Sequence, residues 1–255
     1  MRVTVLGCGT SGGVPRIGGH WGVCDPDEPR NRRRRSSIAV EACGSRVLID
    51  TTPDLREQCL DAEIDRVDAV LYTHEHADHV NGIDDLRAFM ILQGERVPAY
   101  GNALTMELLS QRFDYIFQGS GGYPPICAGH VIDGPFRVGG MPVTPFSQMH
   151  GGMETLGFRI GDFAYSTDLN GLPDASKELL RDLDVWIVDA LKPTPHPTHA
   201  HLPQTLAWIE ELRPRQAYLT HMTWDMDYRT LLDELPDGVA PAYDGLVIDL
   251  PDPPA

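Results

Sequence analysis

The segment His74-Glu75-His76-Ala77-Asp78-His79 constrains this chain more than any other. Residues 67–72 read as a buried strand by their apolar run, and they deliver the chain through Thr73 into that segment. In extended backbone, positions two apart project to the same side, so His74 and His76 can converge on one ion. Asp78 and His79 come where a helix begins and can face a second ion. Imidazole and carboxylate suit zinc, iron or manganese. A solvated polar turn would not gather four metal-capable side chains in six residues straight after a buried strand. One turn cannot complete two sites, however, so the rest of the chain must supply further donors.

Three of them stand at the ends of expected strands. His150 lies in Gln148-Met149-His150-Gly151-Gly152, Asp168 in Tyr165-Ser166-Thr167-Asp168, and His221 in Leu219-Thr220-His221. A donor at a strand end is held by the sheet, which gives a site its rigidity. Each alone is weak, since a single histidine after a strand is more often structural. As a set they complete what the motif begins.

The surrounding pattern is mixed. Strands are expected at 3–6, 37–42, 46–50, 67–72, 97–100, 136–138, 141–145, 156–160, 163–166, 185–188, 217–219 and 246–250. Helices are expected at 53–62, 81–92, 176–183, 202–212 and 228–235. Hairpins early in each half, mixed with helices, favour a layered α/β protein. No internal repeat and no dividing linker is evident, so residues 1–255 read as one domain, a size that sandwich folds reach. Hydrophobic residues make up 42%, enough for a sizeable core.

The formal charge of -16 disfavours broad contact with nucleic acid or anionic membranes. No run of about 18 apolar residues suggests a membrane span. The start, Met1-Arg2-Val3-Thr4-Val5-Leu6-Gly7, reads as a strand rather than a signal peptide. Five cysteines occur without a CxxC pair, which points to a reduced, cytoplasmic setting.

The HxHxDH motif, followed at long intervals by His, Asp and His, resembles the metallo-β-lactamase superfamily. Within it the chain resembles the PhnP-type cyclic phosphodiesterase branch. Supporting segments are Gly7-Cys8-Gly9-Thr10-Ser11, Leu48-Ile49-Asp50 with Pro53-Asp54, Thr155-Leu156-Gly157-Phe158-Arg159-Ile160, and Pro241-Ala242-Tyr243-Asp244-Gly245. The resemblance implies a four-layer αββα sandwich with a dinuclear site at one edge of the sheets. It implies two divalent ions, manganese or zinc, with iron also compatible. His74, His76 and His150 would hold one ion, Asp78, His79 and His221 the other, and Asp168 would bridge them. Relatives imply a homodimer. The chain departs from the branch at His20-Trp21-Gly22-Val23-Cys24, where members can carry a cysteine-rich structural zinc. One cysteine and one histidine cannot close a tetrahedral site, and that zinc is expected to be absent. A distant residue such as His130 is the alternative third donor.

Two ions of this kind would sit about 3.5–4 Å apart around a hydroxide. Two dications less Asp78, Asp168 and hydroxide leave about one positive charge, so a small anionic phosphodiester is the expected substrate. The departing alkoxide needs a proton. Pro195-His196-Pro197-Thr198-His199-Ala200-His201 precedes a helix; His199 is the family-matched donor, His201 the fallback, and His196 more a structural residue. The expected catalytic residues are therefore His199, His201 and Asp78. Asp50 and Asp54 are candidates to orient ligands or to cap a helix. The five arginines within residues 30–35 form either an ion-paired loop or a phosphate grip. Thioester or lactone hydrolysis, as in glyoxalase-like relatives, is the rival enzyme class. Transfer-RNA 3′ processing shares the core but meets the acidic charge. An inactive metal-binding protein would be expected to have lost ligands, and all seven are present.

Overall fold

A computed structural model describes residues 1–254. It divides into two compact units. The first comprises Met1–Leu6, Ser37–Val143 and the stretch from Val247. Its strands are β1 (Arg2–Gly7), β2 (Ser37–Ala42), β3 (Ser45–Ile49), β4 (Ala69–Leu71), β5 (Val97–Gly101), β6 (Cys127–Val131) and β14 (Val247–Asp249). They form one sheet in the order β14-β1-β2-β3-β4-β5-β6. β2 and β3 make an antiparallel hairpin, and β3 to β6 run parallel. Every residue of β4 is buried, as is all of β3 except Arg46, which is why their sequences are continuous apolar runs rather than alternating ones. Helices α1 (Leu55–Asp61), α2 (Ala77–Val80), α3 (Leu86–Gln93), α4 (Ala103–Arg112) and α5 (Asp114–Gln118) belong to this unit. Leu55, Val80, Leu86, Phe89, Met106, Leu109 and Ile116 from these helices join Leu48, Val70 and Ala99 from the strands in one core.

The second unit comprises Gly7–Ser36 and Thr144–Leu246. A second sheet runs β13 (Val239–Pro241), β12 (Gln216–Thr220), β11 (Val185–Asp189), β10 (Phe163–Ser166), β9 (Met153–Ile160), β8 (Met141–His150) and β7 (Phe136–Val138). β7 and the first residues of β8 precede Thr144. β8, β9 and β10 are antiparallel neighbours, while β10 to β13 are parallel. The unit's helices are α6 (Asp174–Leu179), α7 (Leu202–Leu212) and α8 (Tyr228–Glu234). In α7 the buried residues Thr205, Trp208, Ile209 and Leu212 recur at helical spacing, and Pro203 in the first turn costs no hydrogen bond. No helix among the described residues is long and apolar enough to cross a membrane.

The helix expected at 81–92 is realised as α3, which begins only at Leu86. α2 starts earlier, inside the His-rich segment, and a 3₁₀ turn at Ile83–Asp85 separates it from α3. The break falls at Gly82, where a Cβ would meet the Thr52 carbonyl oxygen at 2.0 Å. α4, α5, β6 and β13 had no clear periodic signal, and the loop before β2 contains a 3₁₀ turn at Pro29–Asn31. Within that loop Arg33 is only 2% exposed. It donates to the Thr223 carbonyl at 3.2 Å and to Asn31 Oδ1 at 3.4 Å, so it holds the loop rather than gripping a ligand. Arg30 lies over Tyr228 and Tyr243. Cys24 Sγ donates to the Trp224 carbonyl at 3.3 Å, and His20 meets the Trp224 ring edge-on. His130 stacks on Tyr100.

The C-terminal ends of the parallel strands matter most for function. In parallel α/β sheets side chains there face a crevice that the loops leave open. β3 ends before Asp50, β4 before Thr73, β10 before Thr167, β11 at Asp189 and β12 before His221.

Candidate metal centre

In the first unit the donor turn is organised around Asp50, which is fully buried. Its Oδ1 accepts from Thr73 N at 2.8 Å, and its Oδ2 accepts from the Thr73 hydroxyl at 2.8 Å and from His79 Nδ1 at 2.7 Å. Burial pushes the Asp50 carboxyl up, while the His79 and Thr73 bonds favour its ionised form. The Thr73 hydroxyl in turn lies 2.9 Å from His74 Nδ1. Because that hydroxyl spends its proton on Asp50, His74 Nδ1–H donates to it. Both imidazoles therefore commit Nδ1–H to a partner and keep a lone pair on Nε2, as metal-ligating histidines do. The His74 ring lies 4.5 Å from that of His76 and 4.4 Å from that of His79, centroid to centroid. Asp78 Oδ2 is 3.4 Å from His79 Nε2. His76 caps α2, so the helix start turns Asp78 and His79 as the spacing predicts. Glu75 points elsewhere: its carboxylate accepts from Thr105 and its carbonyl from Arg112. Of the two candidate orienting acids, Asp50 is the one that touches ligands. Asp54 stands at the N-terminus of α1.

In the second unit Asp168 is the hub. Its Oδ1 accepts from the Thr167 hydroxyl at 2.8 Å and lies 3.1 Å from His221 Nδ1. Its Oδ2 lies 3.8 Å from His150 Nε2 and 3.9 Å from His199 Nε2. His150 donates Nδ1–H to the Thr198 carbonyl at 2.7 Å, which again leaves Nε2 facing the carboxylate. The His199 and His221 rings stack at 4.9 Å and 11°. Asp50, Asp168 and His221 have φ of +66°, +53° and +56°. Such left-handed non-glycine backbone costs about 1–3 kcal/mol per residue and clusters where function dictates geometry.

The sequence reading assigned no role to Asp189. It is fully buried and accepts from His199 Nδ1 at 3.0 Å and from Leu169 N at 3.2 Å. One ligand atom each from Asp168, Asp189 and His199 lies within 4.8 Å of the others. Burial raises the Asp189 carboxyl to about 6, against the pull of His199. The available signal was its place: an acid closing a buried apolar strand, as Asp50 and Asp168 do. His201 is the N-cap residue of α7 and joins none of the metal-capable groups among the described residues. His196 accepts from Thr198 through Nδ1, in keeping with a structural part.

The donors fit divalent metal. They are imidazoles, of which His74, His79 and His150 commit Nδ1 to a hydroxyl, a carboxylate and a carbonyl, set beside carboxylates with no thiolate among them.

Comparison with known proteins agrees. The family model described as a beta-lactamase superfamily domain matches residues 45–222. The crystal structure of a diphosphatase from the PhnP family matches at a TM-score of 0.90 with 42% identity, over 97% of this chain and 97% of that one. Zinc-bound PqqB from Methylobacterium extorquens shares the fold at a TM-score of 0.80 with 20% identity, over 98% of this chain and all of that one. A protein of Porphyromonas gingivalis named octanoyltransferase is 34% identical over 96% of this chain, which spans only 51% of its length. About half the length of the curated relatives is thus matched, so that protein's named activity does not transfer by similarity alone. By the family match and by its two sheets with their helices, this chain belongs to the β-lactamase superfamily, as a metallo-β-lactamase-fold hydrolase that resembles the PhnP branch.

Proposed function

We propose that this chain is a phosphodiesterase that acts on small anionic phosphodiesters, cyclic ones included, with the help of two divalent ions. One observation carries the reading: each unit gathers metal-type donors at the ends of its parallel strands. In the first, Asp50 and Thr73 orient His79 and His74 beside Asp78, and in the second His150, His199 and His221 lie within 3.9 Å of Asp168. Two ions so placed would supply a Lewis acid for phosphoryl oxygens and an acidified water.

The chain's own residues do the rest. Asp168 presents one oxygen to His221 and the other to His150 and His199. Asp50 and Thr198 orient imidazoles from behind. His199 presents Nε2 beside Asp168 while Asp189 holds Nδ1. It is the proposed proton donor to the leaving alkoxide, and the buried Asp189 carboxylate favours its charged form. His201 is the second candidate for that proton, and Asp78 contributes charge at the reacting centre. Only two ligand carboxylates oppose four metal charges, which favours an anionic substrate despite the acidic surface. The likeness to a PhnP-family diphosphatase supports a phosphorus centre over a thioester carbonyl. The reading extends to manganese or zinc, with iron compatible, to a cytoplasmic homodimer, and to one hydrolase domain over residues 1–255.

The test is turnover of bis(4-nitrophenyl) phosphate and cyclic phosphodiesters by protein loaded with manganese or zinc. Metal-dependent hydrolysis is expected. Thioester hydrolysis with no phosphodiester turnover in any divalent metal overturns the reading.

A further inference from the structure

Apart from the His/Asp centre, the first unit contains a cavity of about 640 Å³ lined by Arg87, Asp114, Tyr115, Ser120, Tyr123 and Pro124. Its walls are tied to the metal-binding turn. Arg112 closes α4 and donates Nη1 to the Glu75 carbonyl at 2.6 Å, inside the HxHxDH segment, and α5 begins at Asp114. Arg87 lies in the first turn of α3, the next α-helix after the one that carries His79.

Tyr123 is 71% exposed and lines this cavity. The backbone presents it deliberately. Ser120 and Tyr123 exchange both backbone hydrogen bonds, at 3.2 and 2.9 Å. Between them Gly121 and Gly122 have φ of +58° and +87°, the left-handed pair that a two-residue hairpin turn requires. Tyr115, half-buried, supplies a second aromatic wall and is held by Asp84, which also accepts from Arg87 at 3.0 Å.

The charge of this cavity decides its ligand. Arg87 is already matched by Asp84, and Asp114 adds an exposed carboxylate. A phosphate group gains little there. A flat, uncharged ring with N–H donors gains most, since it can stack on tyrosine and donate to Asp114 and Ser120.

We propose that this cavity seats the heterocyclic base of a nucleoside-type substrate whose phosphodiester reaches the His/Asp centre. The proposal rests on the phosphodiesterase reading for its second half only. Base–aromatic stacking is sequence-tolerant and strong enough to be read by alanine substitution.

The experiment titrates adenosine, with ribose 5-phosphate as a base-free control, into the full chain and follows backbone amide resonances. Adenosine should move residues 114–123, and ribose 5-phosphate should not. Tyr123→Ala should weaken adenosine binding by about tenfold or more, whereas Tyr123→Phe keeps it. With adenosine 2′,3′-cyclic phosphate as substrate, Tyr123→Ala should raise KM and leave kcat unchanged, and Asp114→Asn should also raise KM. Adenosine that leaves residues 114–123 unmoved, or that binds Tyr123→Ala as it binds the parent, overturns the proposal. Adenosine binding through Tyr123 in a protein that cleaves no phosphodiester upholds the base site and overturns the reaction assigned above.

Discussion

Asp189 and Asp50 hold the same kind of position, each buried at the end of a parallel strand with a histidine Nδ1 on one oxygen. They serve different histidines. His79 belongs to the donor sets and His199 is the proposed acid, so their removal should have different signatures. Asp50→Ala is expected to weaken metal binding by about 10–100-fold, read by competition with a chromogenic chelator. His199→Ala is expected to keep its metal and lose about 10²–10⁴ in kcat. Metal loss in that variant would make His199 a ligand instead. Asp189→Asn should keep its metal and lose less than His199→Ala, because the amide oxygen still accepts from Nδ1. At this scale the sequence was most legible where chemistry is local. His74, His76, Asp78 and His79 announce themselves by spacing, and His150, Asp168 and His221 by strand ends. The partners that orient them do not: Thr198 meets His150 from 48 residues away and Asp189 meets His199 across a loop. Such pairings come from folding, and no spacing encodes them.

Elements were legible in proportion to how cleanly one periodicity ruled them. α7 has an uninterrupted apolar stripe, and its expected limits, 202–212, match Leu202–Leu212. The fully buried β10 likewise matches at 163–166. The helical pattern at 81–92 was sound in kind and early at its start, because Gly82, closely approached by Thr52 across the fold, is followed by a 3₁₀ turn before α3. Gly82→Ala must therefore push the Thr52 carbonyl or the 3₁₀ turn aside. The expected cost is about 1–3 kcal/mol in urea unfolding, with weaker metal retention because Thr51 pairs with His79 through the backbone. An alanine variant as stable as the parent would show that the segment yields freely. α4 escaped notice because its apolar residues make no strong stripe, and β13 because its three residues end in a proline, which reads as a turn rather than a strand.

For the whole molecule, stability should follow both metal and pH. Ions bound only by the folded chain stabilise it by mass action, so a chelator is expected to lower Tm and added manganese or zinc to restore it. The pH response has a definite source at Asp244. Its oxygens accept from Cys8 N at 3.2 Å and Arg34 N at 2.8 Å, and burial raises its carboxyl to about 7. A carboxyl raised on folding binds more protons in the folded state than in the unfolded one across the interval from its ordinary value up to about 7. Its contribution is complete below that interval and is lost as pH rises through it. The stability of the parent relative to Asp244→Asn should therefore fall from pH 4 to 7, by about 4 kcal/mol at most, and level off above. A difference that stays constant with pH would remove Asp244 as the source.

What the sequence by itself determined was a run of metal-type side chains at residues 74–79 and the kind of fold that carries it. That run follows an apolar strand and is set by neighbours a few residues apart, and apolar runs alternating with helical stripes specify layered sheets and helices. Only the tertiary structure decided which distant groups complete that chemistry. Asp168 gathers His150, His199 and His221, Asp189 steadies His199, Arg33 turns inward, and the Gly121-Gly122 turn lifts Tyr123 into view. The physical reason is range. Periodicity and spacing record what neighbours along the chain require, whereas strand-end side chains meet through the register of parallel strands, which many residues set together.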